Sequence, residues 1–328
     1  MRIAVTGSIA TDQLMVFPGR FSEQLIADQL EQVSLSFLID TLDVRRGGIA
    51  GNISFGLGQL GFSPILVGAV GKDFDEYRAW LERHGVDTSA VYVSEYLHTA
   101  RFVCTTDSMQ NQIGSFYAGA MTEARNIELA PIADRFGGLD MVLISANDPK
   151  GMLRHTEECR DRGFPFAADI GQQVVRMPGE ELRELIIGAD YLLTNEYEHS
   201  LLLEKTGWTH DEVLSRVDVW VTTLGAGGVR LETRDGKVLN VPAAQVKKEV
   251  DPTGIGDGFR VGFFAGLAWE LPYEAAMQLG CALAATVLEV NGPQEYTVEP
   301  DRLCRRIADT YGEHAENQIA PLLNQARA

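Results

Sequence analysis

Short apolar runs alternate with longer amphipathic segments in the second half of the chain, and this alternation limits the folds that the chain can adopt. Strands are predicted at residues 141–145, 166–170, 191–194 and 219–223, with helices at residues 150–162 and 180–188. Strands that alternate with helices are joined by right-handed crossovers, which make the strands parallel and cover both sheet faces with helices. The sequence therefore predicts an α/β fold around a mostly parallel sheet.

The length and charge of the chain limit the number of domains that it can form and the kinds of partner that it can bind. No linker divides the 328 residues, so we expect a single domain over residues 1–328 that carries a small appendage. The formal net charge of −18 argues against binding to nucleic acid or to an anionic membrane surface, because both interactions depend on basic residues. Small molecules are the expected partners, and a homodimer is left open.

Neither the cysteines nor the N-terminus indicates a secreted or membrane protein. The four cysteines are widely spaced and form no Cys-x-x-Cys pair, so neither a zinc site nor a disulfide framework is predicted. The chain begins with a short strand pattern, and no segment is apolar for long enough to span a bilayer. We therefore expect a cytoplasmic protein.

A glycine-rich segment at residues 250–260 leads directly into an apolar helical pattern. Gly254 and Gly256 leave backbone N–H groups accessible at the start of this helix, where a phosphate group can bind. Asp257 has two interpretations. It is either a helix N-cap or a general base that takes a proton from a hydroxyl group while the N–H groups hold a phosphoryl group.

Polar residues near two other predicted turns add candidates for ligand binding. Residues 46–52 form a second glycine-rich segment before a helix pattern, which indicates either a tight turn or a site of backbone contact. Ser8 and Asp12 follow the first predicted strand, at the sheet edge where open α/β proteins bind ligands, although Asp12 also suits a turn.

Short β-like pieces interrupt the first half of the chain at residues 13–17, 36–40, 100–105 and 113–117. They are separated by polar stretches and do not continue the order of strands and helices. We expect them to form a small sheet that emerges from the main body.

The two glycine-rich segments resemble the two signatures of the ribokinase-like (PfkB) carbohydrate and nucleoside kinases. Residues 46–52 resemble the N-terminal signature, and residues 251–257 resemble the C-terminal one. The resemblance implies a ribokinase-like three-layer α/β/α fold, with a small β-sheet lid formed by residues 11–46 and 98–118. Gly258 departs from the alanine common in the family, a change that removes no functional group.

The resemblance implies a functional role for each residue that matches the family's pattern. The resemblance implies that Gly254 and Gly256 form an anion hole for the γ-phosphate of ATP and that Asp257 is the catalytic base. It implies further that the sugar to be phosphorylated contacts the substrate-binding residues Ser8, Asp12, Ser36, Gly48 and Asn52.

The resemblance also implies ATP and Mg²⁺ as cofactors. Asn195 and Glu198 match the Asn-x-x-Glu motif that organises Mg²⁺ in the family, although they also suit a helix cap and a solvated side chain. The expected nucleotide contacts are Asn195, Thr223, Gly225, Gly228 and Gly256. The turn at residues 222–228 would by itself also suit a hairpin loop.

The resemblance also bears on a monovalent cation and on the acceptor substrate. Many relatives bind a monovalent cation, so K⁺ activation near Asp251 and Thr253 is left open. Residues 169–176 depart from the form frequent among the family's sugar kinases, and they are similar to its bacterial adenosine kinases, as are residues 45–48, 98–102 and 146–149.

The predicted activity is therefore the ATP-dependent phosphorylation of the 5′-hydroxyl group of adenosine. Additional substrate contacts follow at Gln172, Gln173 and Arg176, with Phe102 and Phe116 stacked on the adenine or, alternatively, packed only as lid residues. A ribokinase- or fructokinase-like sugar kinase is the nearest alternative. A nucleoside-binding regulator without catalysis is the alternative from another class.

Overall fold

An eight-stranded sheet organises the structure, a computed structural model that describes residues 1–24 and 36–325. From one edge to the other its strands, numbered in chain order, are β14 (Val238–Val241), β13 (Val229–Thr233), β12 (Val219–Thr223), β11 (Tyr191–Asn195), β10 (Phe166–Asp169), β9 (Met141–Ser145), β1 (Ile3–Thr6) and β4 (Ile65–Val67). The strands from β12 to β4 are parallel, whereas β13 and β14 pair antiparallel. The predicted mostly parallel α/β fold is confirmed.

Helices cover both faces of this sheet. In chain order they are α1 (Phe21–Gln24), α2 (Ile49–Gln59), α3 (Asp75–Arg83), α4 (Leu129–Phe136), α5 (Pro149–Arg162), α6 (Gln173–Arg176), α7 (Gly179–Ile186), α8 (Glu196–Thr206), α9 (His210–Leu214), α10 (Ile255–Ala268), α11 (Tyr273–Leu288), α12 (Pro300–Tyr311) and α13 (Glu313–Gln325). Short 3₁₀ turns occur at Lys72–Phe74, Gly119–Asn126 and Gly225–Gly227. Across residues 1–24 and 36–325, no helix combines the length and the apolar character needed to cross a membrane.

Alternate residues of the central strands face two separate hydrophobic cores. On β9, Met141 and Leu143 belong to the core that α2, α10 and α11 share, whereas Val142 and Ile144 belong to the core beneath α5 and α7. Successive side chains of a strand point to opposite faces, so a sheet that is buried on both faces needs apolar residues at nearly every position. The result is the predicted three-layer α/β/α arrangement.

A separate four-stranded sheet, which we call the lid sheet, lies beside the main body. Its order is β3 (Thr41–Gly47), β2 (Ala10–Val16), β7 (Ala100–Thr106) and β8 (Gln112–Tyr117). Two further strands, β5 (Ala69–Val70) and β6 (Tyr92–Val93), form a small parallel pair. In the lid sheet Asp12 of β2 stands between Arg45 of β3 and Phe102 of β7.

The strand predicted at residues 36–40 is wrong. This segment has no regular structure up to residue 39, and the strand of this region, β3, begins at Thr41. Phe37 packs against the rings of Phe17 and Phe21, with ring centroids 4.9 and 5.1 Å apart. The apolar residues that suggested a strand therefore serve a local aromatic cluster, and β3 extends instead through residues 46 and 47 of the predicted glycine loop.

Candidate active site

The start of α10 carries unpaired backbone N–H groups at the edge of a cavity. Gly254 is the N-cap, with a left-handed φ of 81°, and a Cβ atom added there would lie 2.6 Å from the Cβ atom of Pro293. Glycine is thus required by its backbone and by this contact. Within the described part of the chain, the N–H groups of Gly256 and Asp257 have no acceptor. This arrangement suits an anion.

Asp257 does not cap α10, since no side chain caps this helix. Its Oδ2 atom accepts a hydrogen bond of 2.8 Å from Nδ2 of Asn52. Removal from water raises the pKa of Asp257 to about 6, while Arg260 and Asn52 favour the charged form and Asp169 opposes it. A carboxylate with this pKa can take up a proton near neutral pH.

The hydrogen bond between Asn52 and Asp257 depends on a close approach of α2 and α10. Gly56 faces α10 at a point where an added Cβ atom would lie 2.5 Å from Cγ2 of Val261. Small residues at this contact allow the two helices, each of which begins at a glycine, to bring their first turns together. Asn52 and Asp257 therefore stand on one closely packed helix pair.

A buried ion pair holds the first turn of α10 to the carboxyl edge of the main sheet. Nε of Arg260 donates to Oδ2 of Asp169, at the end of β10, over 2.6 Å, and Nη2 donates to the other carboxylate oxygen. Nη1 of Arg260 donates to the carbonyl oxygen of Gly256 over 2.9 Å. This planar, bidentate contact orients the turn that carries the free N–H groups.

A cavity of about 640 Å³ lies between the lid sheet and α10. This volume is within the range of small-molecule sites. The predicted substrate-binding and catalytic residues that line it are Ser8, Asp12, Gly48, Asn52, Phe102, Phe116, Gln172, Gln173, Arg176, Gly254 and Asp257.

Ser36 is the predicted substrate contact that the structure does not place in this cavity. It is exposed and precedes Thr41, which pairs with Val16 at the far end of the lid sheet from Asp12. The packing of Phe37 into the aromatic cluster with Phe17 keeps this segment away from the cavity.

The lid sheet supplies both a carboxylate and aromatic rings to the cavity. Phe102 is the register partner of Asp12 and of Phe116, so these three side chains share one face of the sheet. Burial raises the pKa of Asp12, against the charge of Arg45, and Asp251 adds to the increase. The cavity therefore combines an acceptor for hydroxyl groups with flat apolar surface.

Gln173 lines the cavity and carries an unsatisfied buried acceptor. Its Nε2 atom donates to the carbonyl oxygen of Asn147 over 2.7 Å, whereas its buried Oε1 atom has no partner among the described residues. Buried polar atoms without a partner are rare in proteins and indicate a place for a ligand or water. Gln172 and Arg176 lie at the exposed rim.

Asn195 and Glu198 form a capping box at the start of α8. Oδ1 of Asn195 accepts from the N–H group of Glu198, and Oε2 of Glu198 accepts from the N–H group of Asn195, both over 2.8 Å. Glu198 is buried, which raises its pKa despite the hydrogen bond from Asn195 and the charge of Arg260. The cap interpretation is thus correct for Asn195, but Glu198 is not a solvated residue.

The predicted nucleotide turn is a hairpin loop between β12 and β13. Gly228 has a φ of 94°, and a Cβ atom added there would lie 2.1 Å from the carbonyl oxygen of Val241, so packing alone requires this glycine. Gly225 also has a positive φ, but nothing lies within 4 Å of an added Cβ atom. Its backbone and the end of β12 at Thr223 are open to a ligand.

Several side chains of the site were not predicted. The ion pair of Arg260 and Asp169 joins residues that are 91 positions apart, and Gln294, which hydrogen-bonds Asn52, is 242 positions from it. The only signal in the sequence was a polar glutamine directly after Gly292 and Pro293, and this signal does not identify its partner.

Known proteins share this overall fold. The family model of the pfkB family carbohydrate kinases matches residues 10–300. The nucleoside kinase of Methanocaldococcus jannaschii is 30% identical over 85% of this chain and 91% of its own. Among solved structures, the ligand-free form of the Burkholderia thailandensis nucleoside kinase is 34% identical, with a TM-score of 0.84 over 93% of this chain and 99% of that one.

The complex of the Burkholderia thailandensis nucleoside kinase with ADP and inosine is also 34% identical, with a TM-score of 0.80 over 94% of this chain and 96% of that one. The fold, the order of the two glycine-opened helices and the family model lead to the same assignment. The chain belongs to the pfkB family of carbohydrate kinases.

Proposed function

We propose that this chain transfers the γ-phosphoryl group of ATP to the 5′-hydroxyl group of a nucleoside, with adenosine as the preferred acceptor. One observation carries the proposal. The Asp257 carboxylate, with its pKa raised to about 6, shares a helix turn with two free N–H groups and faces a cavity that Phe102 and Phe116 line. The similarity to nucleoside kinases supports a nucleoside acceptor.

In the proposed reaction the acceptor hydroxyl group loses its proton to the carboxylate of Asp257. The hydroxyl oxygen forms a bond to the γ-phosphorus as the bond to the bridging β,γ-oxygen breaks, which gives a nucleoside monophosphate and ADP. The N–H groups of Gly256 and Asp257, together with the dipole of α10, stabilise the charge on the transferred group. Gly254 holds the loop in the required conformation.

The other cavity residues would orient the nucleoside. Asp12 accepts hydrogen bonds from the ribose hydroxyl groups, and Phe102 and Phe116 hold the base by stacking. The exposed amide of Gln172 can face a purine with its oxygen or its NH₂ group, so it suits both adenine and hypoxanthine, whereas Gln173 would offer its oxygen. We therefore expect inosine to be accepted as well, at a lower rate than adenosine.

The proposed nucleotide and metal contacts lie at the hairpin loop and at the start of α8. The open backbone at Gly225 suits close approach by a nucleotide. Glu198 has one carboxylate oxygen outside the capping box, and an oxygen ligand of this kind suits Mg²⁺, which retains most of its waters. Bound Mg²⁺ would supply positive charge to the phosphates. K⁺ activation near Asp251 and Thr253 also remains a proposal.

The outer face of the lid sheet supports the proposal of a homodimer. Leu42, Val44, Ile113 and Tyr117 share the face opposite the cavity and are 55, 57, 50 and 43% exposed. A group of apolar side chains on a sheet surface is typical of a protein contact. Light scattering should give twice the 36.0 kDa mass of one chain, and a Val44→Glu variant should be monomeric. A parent protein that is monomeric at micromolar concentration would contradict the proposal.

A substrate panel tests the activity. ADP release with Mg·ATP would be measured for adenosine, inosine, ribose and fructose, in the parent and in Asp257→Asn. We expect the highest kcat/KM with adenosine and a loss of about 10²- to 10⁴-fold in the variant. Turnover with a free sugar alone would identify a sugar kinase. Calorimetric binding of adenosine without product from the parent would identify a regulator.

A further inference from the structure

A buried hydrogen-bond chain continues from Asp257 beyond Asn52. Oδ1 of Asn52 accepts from Nε2 of Gln294 over 2.9 Å, and Oε1 of Gln294 accepts from Nε1 of Trp80 over 3.1 Å. Gln294 is 1% exposed, so water does not replace these contacts. These hydrogen bonds join α3, the loop before α12, α2 and α10.

A branch of this chain reaches the base of the lid sheet. Nε2 of Gln294 also donates to the hydroxyl oxygen of Tyr77, and that hydroxyl group donates to the carbonyl oxygen of Gly47 over 2.9 Å. Gly47 is the last residue of β3. Both N–H groups of the Gln294 amide are therefore used.

The Trp80 indole and the Gly47 carbonyl group stand at two ends of this hydrogen-bond chain, and they fix the direction of every hydrogen bond within it. An indole nitrogen only donates and a backbone carbonyl oxygen only accepts. Trp80 therefore holds the oxygen of the Gln294 amide on its side and turns the NH₂ group toward Asn52. Asn52 must then present its oxygen to Gln294 and its NH₂ group to Asp257. A hydrogen bond donated to the ionised carboxylate favours that form.

We propose that Gln294 is a positioning residue of the phosphoryl transfer, which fixes the Asn52 amide so that its N–H group, and not its oxygen, faces Asp257. The inference rests on the proposed function, in which Asp257 is the base. It assigns to Trp80 a supporting role, because the indole orients Gln294.

A neutral change in this hydrogen-bond network leaves the charged groups around Asp257 in place. Arg260 of the same helix and Asp169 of β10 are joined to each other, and Asn52 is the hydrogen-bond donor from α2. The buried hydroxyl groups of Tyr77 and Tyr296 stay neutral, because burial and the charge of Asp257 raise the pKa of each. The Asn52 amide and the Tyr77 hydroxyl group depend on Gln294 for their direction, and of the two only Asn52 contacts Asp257.

The first test replaces the donor without changing the shape of the side chain. In Gln294→Glu the new carboxylate accepts from Trp80 and has no proton for Asn52, so the Asn52 amide turns and presents its oxygen to Asp257. We expect the acid limb of the kcat/KM profile to move to higher pH by about one unit. Gln59→Glu is the matched control, because Gln59 is hydrogen-bonded to the backbone of Tyr296 and Val298 but lies outside the chain. Its profile should match that of the parent.

A second variant, Trp80→Phe, removes the orienting N–H group without adding charge, and it should shift the limb in the same direction by a smaller amount. Thermal melting of each variant establishes that it is folded. Profiles of Gln294→Glu and Trp80→Phe that superimpose on the parent, beside an inactive Asp257→Asn, would overturn the role of Gln294 alone. Full activity of Asp257→Asn would overturn the assignment of the base itself and, with it, the role of Gln294.

Discussion

Nη1 of Arg45 lies 2.9 Å from Oδ2 of Asp251, and this contact joins the lid sheet to the loop that leads into α10. The two side chains are only 16 and 13% exposed. Oδ1 of Asp251 accepts from the N–H group of Thr253 over 2.9 Å. Despite burial, these hydrogen bonds and the charge of Arg45 lower the pKa of Asp251. The lid sheet and the proposed anion-binding loop are therefore connected by an ion pair.

Loss of this ion pair should weaken substrate capture. Arg45→Gln removes the charge that holds the lid sheet against the loop, and we expect kcat/KM for the nucleoside to fall about five- to tenfold, which corresponds to roughly 1 kcal/mol. Steady-state kinetics at low and high salt measure the effect. Asp43→Asn is the control, since Asp43 is the exposed second partner of Arg45 and its loss leaves the contact with Asp251 intact. Equal losses in both variants would contradict a role for the Asp251 contact.

Asp257 should reduce the stability of the protein above pH 6. Its pKa is about 6 in the fold against 3.8 for an exposed aspartate, so the folded state binds the proton more tightly. The stabilisation from that proton is complete below pH 3.8 and is lost as the pH rises through 6. Asp257→Asn cannot ionise, so at pH 7.5 it should be more stable than the parent by about 2–3 kcal/mol. Urea unfolding at pH 7.5 and 4 measures this difference, which should nearly vanish at the lower pH. A constant difference would show that ionisation is not its cause.

Glu198 should affect the requirement for Mg²⁺ more than the stability of α8. Glu198→Gln keeps an oxygen for the capping box but removes the negative charge, so we expect a several-fold higher Mg²⁺ concentration for half-maximal rate. Thr209 and Glu212 form a second capping box at the start of α9, which makes Glu212→Gln a matched control. The same Mg²⁺ dependence in both variants would remove Glu198 from the proposed metal site.

The ion pair of Arg260 and Asp169 should be essential for folding stability. Arg260→Met leaves the carboxylate of Asp169 buried without its partner, and we expect a loss of about 3–5 kcal/mol in the free energy of unfolding. Arg234→Met breaks an ion pair with Asp218 in which both side chains are about half exposed, and it should cost less than about 1 kcal/mol. Denaturant unfolding of the two variants compares them. Similar small losses would indicate that water reaches Asp169 in the parent.

The four strands and two helices predicted between residues 141 and 223 could be found because their signals are local. Apolar runs of strand length alternate there with amphipathic segments, and capping side chains mark the start of α5 at Asp148 and of α8 at Asn195. β3 was not predicted because its apolar residues do not face a core. In a half-buried strand the apolar residues alternate toward the core, whereas Leu42 and Val44 on the outer face of β3 are exposed.

The side chains that meet at the site could be predicted where a motif, the end of a strand or similarity to relatives marked them. The glycines and Asp257 belong to such a motif. The hydrogen bond between Asn52 and Asp257 joins residues that are 205 positions apart, and Gln294 contacts α2 through Asn52 and α3 through Trp80 and Tyr77. Contacts of this kind follow from the packing of helices, which periodicity within one segment does not determine.

The close packing of α2 against α10 has a consequence for how such an enzyme can change. Asn52 and Asp257 belong to helices that share one core, whereas Phe102 and Phe116 stand on a sheet outside it. Under the proposed function, proton transfer and recognition of the base thus reside in different structural units. A descendant of this chain can exchange one nucleobase for another by altering two lid strands and the segment at Gln172 and Gln173, while the place where the hydroxyl oxygen loses its proton stays as it is.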